Sequence, residues 1–222
     1  MIYYILLGIV LVVAMFAQGY IGRTIRITKK IKSSYGKTGA DVAREILSKR
    51  NAKNIKIVRD NGLIADHYDP RTKTIILSSK VYDGKSLAAL GIAAHECGHA
   101  LQNHDGYRFL RFRNFITPLL SLASSVGFIL ILVGLIIPDP DFIPVGVLIE
   151  FSVFIFNVLS LLAEKDASSR GIQQLFKYNI VKEKEYRYTR KILIASSLVY
   201  VAGQISPLLQ IYRLVVVTLK NK

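Results

Sequence analysis

A single cysteine, Cys97, in 222 residues excludes an intrachain disulfide framework, and with it the small secreted scaffolds that depend on one. That usage fits a soluble portion kept in the cytoplasm. Basic residues are missing from the N-terminal stretch Met1 to Gly19, which is apolar except for Gln18. A secretory signal carries its positive charges ahead of the apolar run, so this stretch is expected to be a retained anchor. Acids are missing from the segment that follows, where Arg23, Arg26, Lys29, Lys30, Lys32 and Lys37 occur without a counter-charge. By the positive-inside rule the chain after Tyr20 is then expected on the cytoplasmic side. Charge of either sign is absent from Ile116 to Ile137, and Lys and Arg are absent from Pro138 to Pro144. The net charge of +15 has no accompanying nucleic-acid motif or interleaved aromatics. Its residues flank apolar segments instead, which points to anionic lipid headgroups and away from nucleic acid as a partner.

What is abundant is apolar sequence, at 51% of residues. Four stretches are candidates for crossing a bilayer, which takes about 20 residues. Met1 to Gly19, Ile116 to Ile137 and Val145 to Ala163 are long enough, the last with one charge, Glu150. Ile192 to Val217 is interrupted by Gln204, Pro207, Gln210 and Arg213, so the topology after Ile192 stays open. Between the first and second stretches the periodicity predicts a helix over Gly39 to Lys53 and strands at Ile55 to Val58 and Lys73 to Ser78. The Asp60-Asn61-Gly62 and Asp69-Pro70-Arg71-Thr72 turns punctuate them. A further helix should start near Leu87, capped by Asp83 or Ser86, and run to about Asn103.

That last helix carries His95-Glu96-Cys97-Gly98-His99. At about 100° per residue the two histidines share a face and can reach one Zn²⁺, with Glu96 beside them as a base for metal-bound water. Cys97 points away and reads as core. A catalytic zinc site of this kind usually takes a third protein ligand. Downstream, His104, Asp105, Glu164 and Asp166 are the candidates. Asp105 lies where a metzincin would place its ligand, but that pattern needs glycine where this chain has Gln102. Exactly one pair of spans separates His99 from Glu164, so both return to one membrane surface and Glu164 is favoured. Asp166 lies about 200° round from Glu164 and reads as a surface or capping carboxylate.

These residues resemble a known family. His95-Glu96-Cys97-Gly98-His99-Ala100-Leu101-Gln102, with Asp66-His67-Tyr68-Asp69-Pro70-Arg71 upstream and Glu164-Lys165-Asp166-Ala167-Ser168-Ser169-Arg170 downstream, is similar to the YugP-type membrane zinc metallopeptidases, and more distantly to HtpX-class membrane proteases. The resemblance implies His95, His99 and Glu164 as metal ligands and Glu96 as the catalytic base and acid. Ser168 stands where the HtpX class has aspartate, which leaves its supporting role open. His67 or Tyr68 is a candidate for stabilising the oxyanion, against the alternative that Asp66 to Pro70 is turn chemistry. Arg170 reads as an ion-pair partner. Glu150 either faces other helices or snorkels to the outer surface.

The fold class expected is an α-helical membrane protein of three or four transmembrane helices with a small α+β zincin-like domain. Its parts would be an anchor (1–19), a cytoplasmic zincin-like region (20–115), a transmembrane hairpin (116–163), a cytoplasmic helix with the third ligand (164–191) and a C-terminal membrane segment (192–222). The expected activity is zinc-dependent peptide-bond hydrolysis at the cytoplasmic face of the cell membrane, on a peptide or membrane-protein substrate. The alternatives are a membrane scaffold that holds zinc without cleaving, and a lipid- or nucleic-acid-binding module built on the basic segments.

Overall fold

A computed structural model of the protein describes residues 2–61, 65–137 and 141–198. The elements in chain order are α1 (Ile2–Lys30), α2 (Gly39–Lys49), β1 (Lys56–Asp60), β2 (His67–Asp69), β3 (Thr74–Ser78), α3 (Ser79–Tyr82), α4 (Leu87–His104), α5 (Arg108–Ile136) and α6 (Phe142–Lys177). A further helix, α7, covers 183–198. The chain divides into two compact units. One comprises Met1–Gln18, Arg111–Leu161 and Tyr200–Lys222, the other Gly19–Leu110 and Leu162–Val199.

The second unit is built on α4. Its helix begins where the Ser86 hydroxyl accepts the Ala89 amide at 3.2 Å. Asp83, the other candidate cap, is bound instead to Arg59 at 2.8 Å. Helix α2 starts with a capping box, in which Thr38 and Asp41 satisfy each other's backbone amides at 3.2 Å. It stops at Lys49, four residues before the sequence suggests, because Asn51 turns into the left-handed region at φ 56° and the Ala52 amide closes on the Leu47 carbonyl. Val42, Ile46 and Leu47 of α2 join Ala93, Ala94, Cys97 and Leu101 of α4, and Ile75 and Leu77 of β3, in one buried core. Cys97 is fully enclosed there, and burial pushes its thiol well above the ordinary range.

The sheet has three strands in the order β1-β3-β2, with β1 parallel and β2 antiparallel to β3. The strand β2 is the one the periodicity misses, since three residues among turn formers show no alternation. The turn chemistry is present as well: the Asp69 carboxylate accepts from the Arg71 amide at 2.9 Å and the Thr72 hydroxyl at 3.0 Å. Of the Asp60-Asn61-Gly62 turn, Gly62 lies outside the described residues.

Helix α6 passes through Glu164 without a break, so the apolar run and the helix bearing the candidate third ligand are one element. It closes near Asn179, which has φ 54°. The first residues of the expected C-terminal membrane segment, Ile192 and Leu193, belong to α7 and are buried within the second unit. The rest of that segment from 199, like Pro138 to Pro140, lies outside the described residues.

Two helices, Arg108–Gly134 and Phe142–Lys177, are long and apolar enough to cross a membrane. Within the first unit they meet at small residues: a Cβ on Gly146 would stand 2.7 Å from the Gly127 carbonyl oxygen. Here Glu150 is buried, and the Ser124 hydroxyl lies 2.9 and 3.0 Å from its two oxygens. Glu150 therefore faces a neighbouring helix. Phe115, Leu122, Leu148 and Phe151 stand exposed on the same pair of helices.

In the second unit α4 and α6 approach until their backbones touch. A Cβ on Gly98 would lie 2.7 Å from the Ala167 carbonyl carbon, and one on Gly171 would lie 2.5 Å from the Ala94 carbonyl oxygen. Gly98→Ala and Gly171→Ala should each destabilise the protein by about 1–3 kcal/mol, read as a lower unfolding midpoint. Gly22→Ala, whose Cβ meets nothing within 4 Å, should be neutral or slightly stabilising in the same assay.

Candidate metal centre

Residues one turn apart on α4 lie on one face, so His95 and His99 stack their rings edge to face with centroids 4.8 Å apart. From α6, Glu164 Oε2 reaches both, 3.3 Å from His95 Nε2 and 3.2 Å from His99 Nε2. Among the described residues these three side chains form a group able to hold a metal ion. His95 and Glu164 are only 4% and 5% exposed. Glu96, the next residue on α4, is 6% exposed, and burial raises its carboxyl to about 8 against the pull of the adjacent His95. The backbone amide of Tyr68 on β2 hydrogen-bonds that carboxylate.

Each imidazole is held from behind. His95 Nδ1 lies 2.9 Å from Ser168 Oγ, a hydroxyl that also lies 3.0 Å from the Leu193 carbonyl oxygen and 2.6 Å from Ser197 Oγ. His99 Nδ1 lies 3.0 Å from Gln102 Oε1, an atom that can only accept. His99 therefore carries a proton on Nδ1, while the Ser168 hydroxyl suits either tautomer of His95. A carboxylate oxygen and two ring nitrogens converging in a buried site are a donor set that suits a cation between them. Two ligands on one tetrahedral zinc, at bond lengths of ~2.0–2.2 Å, are about 3.3 Å apart. The two Glu164 contacts match that edge and the three ligand atoms all lie within 4.8 Å of one another, so the residue types present fit the ion.

Other candidates are placed elsewhere. Asp105 ends α4 and pairs with Arg50 at 3.0 Å and Arg170 at 2.6 Å. His104 is exposed. Asp166 is not the free surface carboxylate its position suggests; it accepts from Gln102 Nε2 at 2.8 Å and Arg170 Nε at 2.7 Å. His67 is half-buried on β2, its Nδ1 2.8 Å from the Ala65 carbonyl, and is not one of the converging three. Tyr68 turns its ring into the core, where the phenol oxygen accepts from Asn103 at 2.9 Å. Gln102 and Ser168 are the functional partners that sequence reasoning missed. Their signal was helical spacing, three residues past His99 and four past Glu164.

Two histidines on α4 and a glutamate from α6, with Glu96 beside them on the histidine helix, form a candidate metal centre. Residues 3–219 match the family described as "Putative neutral zinc metallopeptidase", and the chain belongs to it. Among curated proteins it is similar to "Putative membrane protease YugP" of Bacillus subtilis (strain 168), 33% identical over 193 residues, covering 87% of this chain and 86% of the relative. No solved structure matches.

Ser168→Ala removes the hydroxyl behind His95 without touching a converging atom. Zn²⁺ affinity, measured by competition with a chelator, should fall about 10–100-fold.

Proposed function

We propose that the protein is a membrane-bound zinc metallopeptidase whose site is formed by His95, His99 and Glu164, with Glu96 as general base and acid. The observation that carries this reading is the approach of Glu164 Oε2 to both Nε2 atoms, from a helix 65 and 69 residues further along the chain. Zinc held there would supply a Lewis acid that polarises a carbonyl and acidifies water. Glu96 stands on the same helix face and takes the water proton on a carboxylate oxygen, then returns it to the departing nitrogen. Tyr68 orients that carboxylate through its backbone amide. His67, on the same strand, is the candidate for meeting the developing oxyanion.

In this reading the catalytic region is zincin-like and lies at the cytoplasmic face, and the transmembrane helices number three or four. The divisions drawn at 19, 115, 163 and 191 separate anchor, catalytic segments and spans. The partners are a peptide or membrane-protein substrate and the lipid bilayer, not nucleic acid.

Glu96→Gln is the direct test. The variant should retain about one zinc per chain while peptide hydrolysis drops by about 10²–10⁴-fold. Full activity with metal retained excludes Glu96 as the base. An unmodified chain that holds zinc yet cleaves nothing across a broad panel of peptides and membrane proteins supports the scaffold reading instead. That rival draws on the depth of the site, since structural zinc is enclosed.

Orientation has its own measurement. Cysteines introduced between residues 23 and 37 should react with a membrane-impermeant thiol reagent in inverted vesicles and not in intact cells. Cys97, being buried with its thiol held protonated, leaves that signal clean. Labelling from outside intact cells would reverse the topology.

A further inference from the structure

We propose that Gln102 is a positioning residue that locks the His99 ring in the tautomer with its proton on Nδ1, leaving Nε2 free for the ion. The inference rests on the reading of His95, His99 and Glu164 as a metal centre.

The orientation of the Gln102 carboxamide follows from its neighbours. One end lies 2.8 Å from the Ala163 carbonyl oxygen and 2.8 Å from Asp166 Oδ2. A carbonyl and a carboxylate accept only, so that end must be the NH₂ group, using both its protons. The oxygen is then the atom 3.0 Å from His99 Nδ1, and it requires a proton there. Gln102 is 0% exposed, so no water competes for these groups. The far end is fixed as well. Arg170 donates to the same Asp166 oxygen at 2.7 Å and to Asp105 at 2.6 Å, and Asp105 also takes Arg50. A ladder of groups, each with a fixed donor or acceptor sense, thus runs from an ion-pair cluster to one histidine.

His95 is supported differently. The Ser168 hydroxyl can rotate and donate, so it tolerates either ring tautomer, whereas the amide of Gln102 cannot. Glutamate at 102 would still accept from His99 but would place a carboxylate against Asp166 and the Ala163 carbonyl. Methionine would keep the volume and offer His99 nothing.

The experiment uses the full chain in detergent micelles, metal-free, with ¹⁵N-labelled histidine. Long-range ¹H–¹⁵N correlation reads the tautomer of each of the four histidines, and His99→Gln assigns the signal. The unmodified protein should show His99 protonated on Nδ1. Gln102→Met should move His99 to the Nε2-protonated or a mixed form with His95 unchanged, and weaken Zn²⁺ binding about 10–100-fold in chelator competition. Gln102→Glu should restore the Nδ1 form. His99 protonated on Nε2 in the unmodified protein overturns the proposal, and that result needs no variant to fold. So does an unaltered tautomer and zinc affinity in Gln102→Met. A chain that binds no zinc but shows the expected tautomers would defeat the metal reading alone.

Discussion

The approach of α4 to α6 is the constraint on which the site depends. A glutamate side chain is short, and to bring one oxygen within 3.3 Å of two imidazoles the helix axes must come closer than ordinary side chains allow. Ala94 and Gly98 on α4, opposite Ala167 and Gly171 on α6, make that possible. Each pair is four residues apart, so each forms a stripe of small residues along one helix face. The histidines lie one residue beyond the first stripe and Glu164 three residues before the second. Helix packing and site geometry are therefore the same fact seen at two scales.

Charge at the site is managed with few ions. The two histidines are backed by a hydroxyl and a carboxamide, both neutral, so the negative charge next to the rings comes from Glu164, while burial favours the neutral form of Glu96. The third nearby carboxylate, Asp166, is matched by Arg170. A divalent cation is the natural complement to such a set, because a buried carboxylate converging with two ring nitrogens suits positive charge between them. Gln102 accepts from His99 Nδ1 and so leaves the Nε2 of that ring facing the point where the cation would lie.

Helix α6 joins two roles that the chain could have separated. It carries an apolar run of the length a membrane requires, and without interruption it carries Glu164, Asp166, Ser168 and Arg170. The division anticipated at residue 163 marks a change in composition and not a change in backbone. A helix propagates through a charged residue as readily as through leucine when its hydrogen bonds are intact, so hydropathy locates the edge of an apolar surface but not the end of an element.

The local grammar of the chain was readable without coordinates. The Ser86 cap, the two longer strands and the shared face of His95 and His99 all arise within a few residues of one another, where period and turn chemistry suffice. The edge strand β2 was not legible, because three residues cannot show a period and their pairing lies with β3. Nor were the partners behind the rings: Gln102 read as a departure from another family's pattern, Asp166 as a surface acid and Ser168 as an incomplete motif. Their roles depend on which side chains α4, α6 and α7 bring face to face, and that is decided by packing across 25 to 73 positions of sequence. By itself the sequence determined the histidine pair, the adjacent glutamate and the apolar runs, since helical spacing and hydropathy are local. Only the tertiary structure decided how each imidazole is oriented, because hydrogen-bond sense passes through groups that are neighbours in space alone.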